Sequence, residues 1–285
     1  MFKVIYCLLL ICVSTSMSFF ASAASHVPAP AKILEGEWLV EEVLIDQKAD
    51  NGLPGHYNIP KYLGRIFTIK PSIFSINKPE DEVCNNPTYE IKNLLLSQVI
   101  AKSIESRAFT KGSVLIEDMQ LKTNDQKFEF YYLSCDKQQR VKNYGMAPED
   151  DLSNVVWLIK LSENKIAISW HDQTILVLSP ILQKQAIKAS FDCDKAETPL
   201  EHKICSDLGL ALFDQSVSEA YHSNMTYYRS QENASQLITS LKASQRKWLK
   251  SRDECKINDI CLRTKMDKRI DSLIYDLSEL MYEQR

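Results

Sequence analysis

The sequence contains little glycine. Only 7 of its 285 residues are glycine, about 2.5% against roughly 7% in average proteins. No glycines fit G-x-G-x-x-G or G-x-x-x-x-G-K-[ST], two motifs in which glycine lets the backbone approach phosphate, so the usual dinucleotide and P-loop sites are excluded. The absence of G-x-S-x-G and H-E-x-x-H also excludes the usual hydrolase elbow and zincin helix.

The sequence lacks a strong excess of either charge. It has 34 Lys and Arg residues against 37 Asp and Glu residues, a formal net charge of -3. Without a basic excess there is no electrostatic case for nucleic acid as a partner, whereas a basic protein is compatible. A hydrophobic content of 45% and a charged content of 25% are typical of a globular chain, and the length allows two domains.

No catalytic constellation accompanies the histidines. His171 precedes Asp172 in a predicted hairpin turn, where solvated polar residues are common. Glu201 and His202 could transfer protons, but no nucleophile or metal motif accompanies them. The remaining histidines are His26, His56 and His222. We therefore predict that the protein is not an enzyme, with no catalytic residue, no cofactor and no metal ion.

The N-terminus has the pattern of a secretory leader. Lys3 is followed by the apolar run VIYCLLLICV and by Ala21-Ser22-Ala23, an A-x-A cleavage site. The apolar run is shorter than the ~20 residues of a membrane span. We predict a signal peptide at 1–23, a Pro/Ala-containing linker at 24–34, and a periplasmic or secreted protein with no membrane span after cleavage.

Six cysteines remain after the leader and its Cys7 and Cys12 are removed. An even number in a secreted chain favours disulfides. Two of the six lie in the first half, and the others form C-x11-C and C-x5-C pairs. The six are Cys84, Cys135, Cys193, Cys205, Cys255 and Cys261. The alternative is a zinc site that uses Cys193, His202 and Cys205, which an oxidising compartment and the lack of C-x-x-C disfavour.

Residues 35–182 have a β-rich pattern with an inserted helix. Short runs rich in Val, Ile, Phe, Tyr and Trp predict strands, and S-E-N-K between two of them predicts a hairpin turn. The runs are GEWLVEEVLI, GRIFTIKPSIFSIN, KGSVLIEDMQLK, KFEFYYLSC, VVWLIKLS, KIAISWHD and TILVLSP. Apolar residues near helical spacing predict the helix: Leu94, Leu95, Val99, Ile100 and Ile104. The pattern predicts an antiparallel barrel or sandwich, and Gly36-Glu37-Trp38 resembles the G-x-W that opens lipocalin-type barrels.

Residues 190–285 have a helical pattern. Thr198-Pro199-Leu200-Glu201 forms a capping box with proline at the first helical position. Apolar stripes predict three further helices, one capped by Asn233 and the last begun by Asn258 or Asp259. A Cys255–Cys261 bond would hold the corner between two helices. A Cys193–Cys205 bond would close a loop of about 13 residues and stabilise the fold by roughly 3 kcal/mol.

The helical part resembles the LprI family, which is named for a mycobacterial lysozyme inhibitor. The resemblance covers roughly 80 residues and rests on F-x-C, T-x-x-E-x-x-I-C, L-x-x-x-D, a following Tyr, Q-x-x-W-x-x-x-R-D-x-C and C-L. The matching residues are Phe191, Cys193, Thr198, Glu201, Ile204, Cys205, Leu210, Asp214, Tyr221, Gln245, Trp248, Arg252, Asp253, Cys255, Cys261 and Leu262. We expect structural roles for the six polar or aromatic motif residues, Glu201, Asp214, Tyr221, Gln245, Trp248 and Arg252, with Arg252 paired to Asp214 or Glu201.

The resemblance implies a periplasmic or secreted protein that binds and inhibits lysozyme. Lysozymes cleave with two carboxylates in a cleft, so an inhibitor must place donors against those carboxylates. An acidic outer face would aid encounter with a basic enzyme. Residues 213–220 and the 192–201 loop, with Asp192, Asp194, Glu197 and Glu201, are the predicted face. Lysozyme or another basic protein is the predicted partner. The alternatives are a periplasmic ligand- or toxin-binding module, based on the barrel, and a purely structural envelope role.

Overall fold

A computed structural model of the chain describes residues 34–45, 61–77, 83–105, 116–117, 119–135, 139–140, 155–171, 174–182 and 187–283. The predicted signal peptide lies outside the described residues, as does the linker up to residue 33. The strands are β1 (Gly36–Leu44), β2 (Ile66–Lys70), β3 (Ile73–Ile76), β4 (Val83–Asn85), β5 (Thr88–Leu95), β6 (Lys127–Cys135), β7 (Gln139–Arg140), β8 (Trp157–Ser162), β9 (Lys165–Trp170) and β10 (Thr174–Pro180). The helices are α1 (Leu96–Glu105), α2 (Pro199–Cys205), α3 (Leu208–Arg229), α4 (Ala234–Asp253) and α5 (Asp259–Glu283).

The strands form one antiparallel sheet that curls into a half-barrel. Its order is β4-β3-β2-β1-β10-β9-β8-β6-β5, with β7 paired to β6. β4 and β5 stand at opposite ends of this order although only residues 86 and 87 separate them, and Asn86 adopts a φ of 46° there. The Cys84–Cys135 disulfide also joins β4 to β6. The chain and the disulfide therefore bring the two ends of the curled sheet together.

The central strands of the half-barrel are buried on both faces. Along β9 and β10, alternate side chains such as Trp170 and Leu176 enter the core inside the curl. The intervening residues, such as Ala167 and Val177, pack in a second core with α1. An antiparallel sheet commonly has one solvated face. Burial of both faces accounts for the near-continuous apolar run of β10.

Two predictions in this region are wrong in detail. Leu94 and Leu95 end β5, and the predicted helix begins at Leu96. The described part of the run KGSVLIEDMQLK, residues 116–117 and 119–122, forms turns and irregular backbone rather than a strand. Its apolar side chains Ile116, Met119 and Leu121 are nevertheless buried in the second core. These side chains are buried by packing against the sheet, and such burial does not require the backbone to pair as a strand.

The C-terminal part is helical and holds two disulfides. α2 to α5 share a core in which Phe213, Leu262 and Met266 are fully buried. Cys193 bonds Cys205, and Cys255 bonds Cys261; these pairs coincide with those suggested by the spacing. Together with the half-barrel, this region confirms the predicted fold class of an antiparallel β structure followed by a disulfide-stapled helical domain.

Residues 61–65, the turn before β2, join the two regions. Arg65 is fully buried, with its guanidinium 2.7 Å from the Asp267 carboxylate of α5 and 3.7 Å from the centroid of the Phe213 ring of α3. Gly64, at a φ of 72°, lies so close to Leu212 that an added Cβ would be 2.8 Å from the Leu212 Cβ. The half-barrel and the helices are therefore packed against each other.

Candidate functional site

An exposed, tightly held loop precedes α2. Residues 193–195 form one turn of 3₁₀ helix, and the Asp192 carboxylate accepts a hydrogen bond from the Asp194 N–H. The Thr198 hydroxyl accepts from the Glu201 N–H, and the Glu201 carboxylate accepts from the N–H groups of Thr198 and Glu197. With the Cys193–Cys205 bond, these contacts fix the loop at both ends. We call residues 192–198 the acidic loop.

The capping role of Glu201 determines its electrostatics. The Thr198 N–H is the largest cause that lowers the pKa of Glu201, followed by the Glu197 N–H, with the charge of Arg252 as a smaller cause. Glu201 is thus an ionised helix cap. The structure places this motif residue at the helix start, where its charge stabilises the acidic loop.

Asp214 and Arg252 form a polar contact inside the helical region. The buried Asp214 carboxylate accepts hydrogen bonds from the Ser190 N–H and the Ser190 hydroxyl, and the Arg252 guanidinium lies 3.6 Å away. Arg252 also lies over the Trp248 ring, 5.5 Å from its centroid. The Trp248 indole N–H donates to the Lys265 carbonyl of α5. These three motif residues connect the chain before α2 to α3, α4 and α5.

The remaining two motif residues have different surroundings. Tyr221 is half-buried beside a small apolar cluster that includes Ala220 and Leu273. Gln245 accepts a hydrogen bond from the Arg269 guanidinium, which also donates to the Ser244 hydroxyl. Both residues thus serve packing between α3, α4 and α5. The structure does not bring them to the acidic loop.

A second polar network includes residues that the sequence patterns did not single out. Asp207 caps α3 by accepting from the Leu210 N–H, and its carboxylate also accepts from Arg263 of α5 at 2.8 Å. Arg263 bonds Asp259 as well. Lys203 of α2 lies 3.3 Å from Asp207 and 3.7 Å from Asp259. The sequence Ser206-Asp207-Leu208 was a recognisable N-cap signal, but its pairing with Arg263 depends on the packing of α5.

The pKa of Asp207 makes part of the fold sensitive to acid. Burial raises this pKa, but the Leu210 N–H and the Arg263 guanidinium outweigh burial and hold it below its ordinary value. A carboxyl with a lowered folded pKa stabilises the fold above its unfolded pKa, and the stabilisation is lost as the pH falls through the folded pKa. We expect Asp207→Asn, which retains a capping oxygen, to lose less stability than the wild type as the pH falls below about 4.

Urea unfolding at a series of pH values measures this difference. Asp194→Asn is a matched control, because it makes the same chemical change at an exposed aspartate. It should leave the acid dependence as in the wild type. Parallel stability curves for Asp207→Asn and the wild type would contradict the assignment.

The acidic surface is smaller than the sequence suggested. Within residues 213–220, Asp214 is turned inward, and Ser216 and Val217 are also buried. Of the two acidic residues in that segment, only Glu219 is exposed, so the predicted acidic outer face is reduced there to a single carboxylate. In the acidic loop, Asp192, Asp194 and Glu197 are exposed. Lys195, also exposed, lies 3.0 Å from Asp192.

Comparison with known families locates the relationship in the helical region. Residues 193–276 match the model of the family described as Lysozyme inhibitor LprI. The C-terminal third carries the LprI match. It contains all six motif residues and both helical-region disulfides, and it excludes the half-barrel. No curated protein and no solved structure matches this chain.

Neither a metal-binding cluster nor a helix able to span a membrane occurs in the described part of the chain. It contains no group of three or more His, Cys, Asp or Glu side chains arranged to hold a metal ion. In particular, Cys193 and Cys205 are bonded to each other, which removes two ligands from the zinc alternative. None of the described helices is both long and apolar enough to cross a membrane.

Proposed function

We propose that this protein is secreted, binds lysozyme through its LprI-like helical region, and inhibits the hydrolysis of peptidoglycan. The observation that carries the proposal is the family match over residues 193–276. Three disulfides are typical of an oxidising compartment, which supports a periplasmic or extracellular location.

The acidic loop supports the proposal physically. It presents the exposed carboxylates of Asp192, Asp194 and Glu197 on a segment fixed by a disulfide and a capping box. A segment that is already ordered loses little conformational entropy when it binds. Its negative charge attracts a basic enzyme. Exposed charges of this kind act mainly on the association rate and have a smaller effect on the dissociation rate. The loop is therefore the part of the surface that we assign to lysozyme recognition.

The direct test is a lysis assay with the purified mature chain. We expect the wild type to slow lysis of a peptidoglycan suspension by at least one of the c-, g- and i-type lysozymes at micromolar concentration. The full chain is needed, because the buried contacts of Arg65 join the half-barrel to the helices. The alternative, a ligand- or toxin-binding half-barrel, predicts that all three lysozymes keep full activity.

A charge-reversal variant tests the acidic loop. We expect Asp194→Lys with Glu197→Lys to lower the association rate with a basic lysozyme by about tenfold at low salt, because steering depends on local charge. Surface plasmon resonance at two ionic strengths measures the rate.

A control variant with the same change in net charge separates local from global effects. Glu35 and Glu37 are exposed on the half-barrel. Glu35→Lys with Glu37→Lys should change the association rate much less. Equal rates for the two double variants would show that the acidic loop has no special part in encounter.

A further inference from the structure

Two large apolar side chains are exposed at the corner between α4 and α5. Ile257 is 60% exposed and Ile260 is 61% exposed. Among the large hydrophobic residues that are exposed in the described parts of the chain, this pair is the closest in sequence. We call residues 255–261 the corner loop. Neither side chain belongs to the cores of the helical region, and exposed apolar side chains that lie together mark interaction sites.

The corner loop is held in a single shape. Cys255 bonds Cys261 across it, and the Asn258 side chain accepts a hydrogen bond from the Cys261 N–H at 2.9 Å. Lys256 adopts a φ of 53°, and the Asn258 N–H donates to the Cys255 carbonyl at 3.0 Å. The loop can therefore present its side chains to a partner with little further ordering.

The corner loop lies at the same end of the helical region as the acidic loop. Asp259, inside the corner loop, is 3.7 Å from Lys203 of α2, the helix that follows the acidic loop. Arg252, three residues before Cys255, contacts Asp214, which is bonded to Ser190 just before the acidic loop. Both loops are thus connected to α2, a helix of only seven residues.

The side chains of the corner loop are chemically complementary to the active-site cleft of a lysozyme. Such a cleft contains one carboxylic acid in an apolar pocket and a second, ionised carboxylate. The corner loop offers two apolar side chains and, beside Ile257, the exposed ammonium of Lys256. Asp253 and Asp259 are paired with Arg252 and Arg263, whereas Glu254 is exposed just before the loop. The loop itself presents the Lys256 ammonium and the two isoleucines to an enzyme whose catalytic groups are negative.

We propose that the corner loop is the inhibitory element, which enters the active-site cleft of the lysozyme. Ile257 and Ile260 pack against the apolar pocket, and the Lys256 ammonium pairs with a catalytic carboxylate. The inference rests on the proposed function and names the part of the surface that blocks the enzyme.

An apolar-to-polar variant tests the anchors. We expect Ile257→Ser with Ile260→Ser to raise the dissociation constant for the inhibited lysozyme at least about tenfold, as for central interface residues. Isothermal titration calorimetry measures the constant. Both side chains are exposed, so thermal unfolding should show an intact fold. Leu182→Ser is the matched control, because Leu182 is 68% exposed beyond the end of β10; its affinity should equal that of the wild type.

A charge variant tests the pairing with the carboxylate. Lys256→Gln should weaken inhibition by about thirtyfold, at the lower end of the range measured when a buried charged interfacial partner is removed. Between pH 7 and pH 4 the wild type should lose affinity as the catalytic carboxyls gain protons, and Lys256→Gln should lose less.

The outcomes separate the two proposals. If the wild type inhibits a lysozyme and the double Ile variant inhibits it equally well, the corner loop is not the inhibitory element, while the proposed function stands. If the wild type binds none of the c-, g- and i-type enzymes, the proposed function is wrong, and the inference about the corner loop is wrong with it.

Discussion

Replacing Arg65 by Met should destabilise the whole protein by about 3 kcal/mol, the lower part of the range for breaking a buried ion pair. The guanidinium is fully buried between Asp267 and the Phe213 ring, whereas the Asp267 side chain is 20% exposed. The variant leaves that carboxylate at the interface without this cation. For a chain of this size, the loss corresponds to a fall in Tm of about 6–12 °C.

The same variant should weaken the coupling between the two regions. Three tryptophans, Trp38, Trp157 and Trp170, are buried in the half-barrel, and Trp248 lies on α4. In a Trp248→Phe background, fluorescence reports the half-barrel, while circular dichroism at 222 nm reports mainly the helices. We expect the two urea transitions to coincide with Arg65 present and to separate in Arg65→Met.

Two further variants check the cause. Lys61→Met removes an exposed contact at the same interface, 3.8 Å from Asp271, and should cost no more than about 0.5 kcal/mol. Arg65→Met combined with Asp267→Leu removes both charges and should recover much of the lost stability. A loss for Lys61→Met as large as that for Arg65→Met would show that the buried pair is not what joins the regions.

Removing the Cys84–Cys135 disulfide should have the largest effect of any cysteine substitution. The two residues are 51 positions apart, so the bond closes a long loop in the unfolded chain and should contribute about 4 kcal/mol on the chain-entropy model. The bond also joins β4 to β6, where the ends of the curled sheet meet. We expect Cys84→Ala with Cys135→Ala to lower the free energy of unfolding by this amount.

The Cys193–Cys205 bond provides the comparison. Its cysteines are 12 positions apart, so Cys193→Ala with Cys205→Ala should cost about 3 kcal/mol on the same model. Urea unfolding without reductant gives both values. A smaller loss for the Cys84–Cys135 pair than for the Cys193–Cys205 pair would overturn the prediction.

Features that depend only on neighbouring residues could be predicted from the sequence. The capping box from Thr198 to Glu201 forms as predicted, because its partners are three residues apart and need no other element. The hairpin turn between β8 and β9 forms at residues 163–164 for the same reason. In contrast, Asn233 stands before α4 without a side-chain capping bond.

Where the structure differs from the sequence-based prediction, the cause is packing between residues far apart in the chain. Leu94 and Leu95 fit a helical stripe, yet they pair with Phe128 and Lys127 of β6 and so complete β5. Asp214 was expected both in an acidic outer face and as a partner of Arg252, and the Ser190 bonds and Arg252 hold it inside. Neither outcome follows from the neighbouring residues alone.

The sequence by itself determined that the chain has a β-rich part followed by a helical part. Six of its seven glycines precede Pro180 and only Gly209 follows it, as expected for strands that need turns and helices that need few. Alternation and helical spacing then identified the element types on each side, because these depend on nearest neighbours along the chain. The Cys193–Cys205 and Cys255–Cys261 bonds could be suggested from the short spacing of these cysteines in the helical part.

Only the tertiary structure decided how the two parts meet and which charges remain exposed. Arg65 and Asp267 are 202 positions apart, and no local pattern marks either as buried. A charged side chain stays in water unless folding brings it a partner that compensates for lost solvation. That partner exists for Arg65, Asp207 and Asp214, whereas the carboxylates of the acidic loop stay in water.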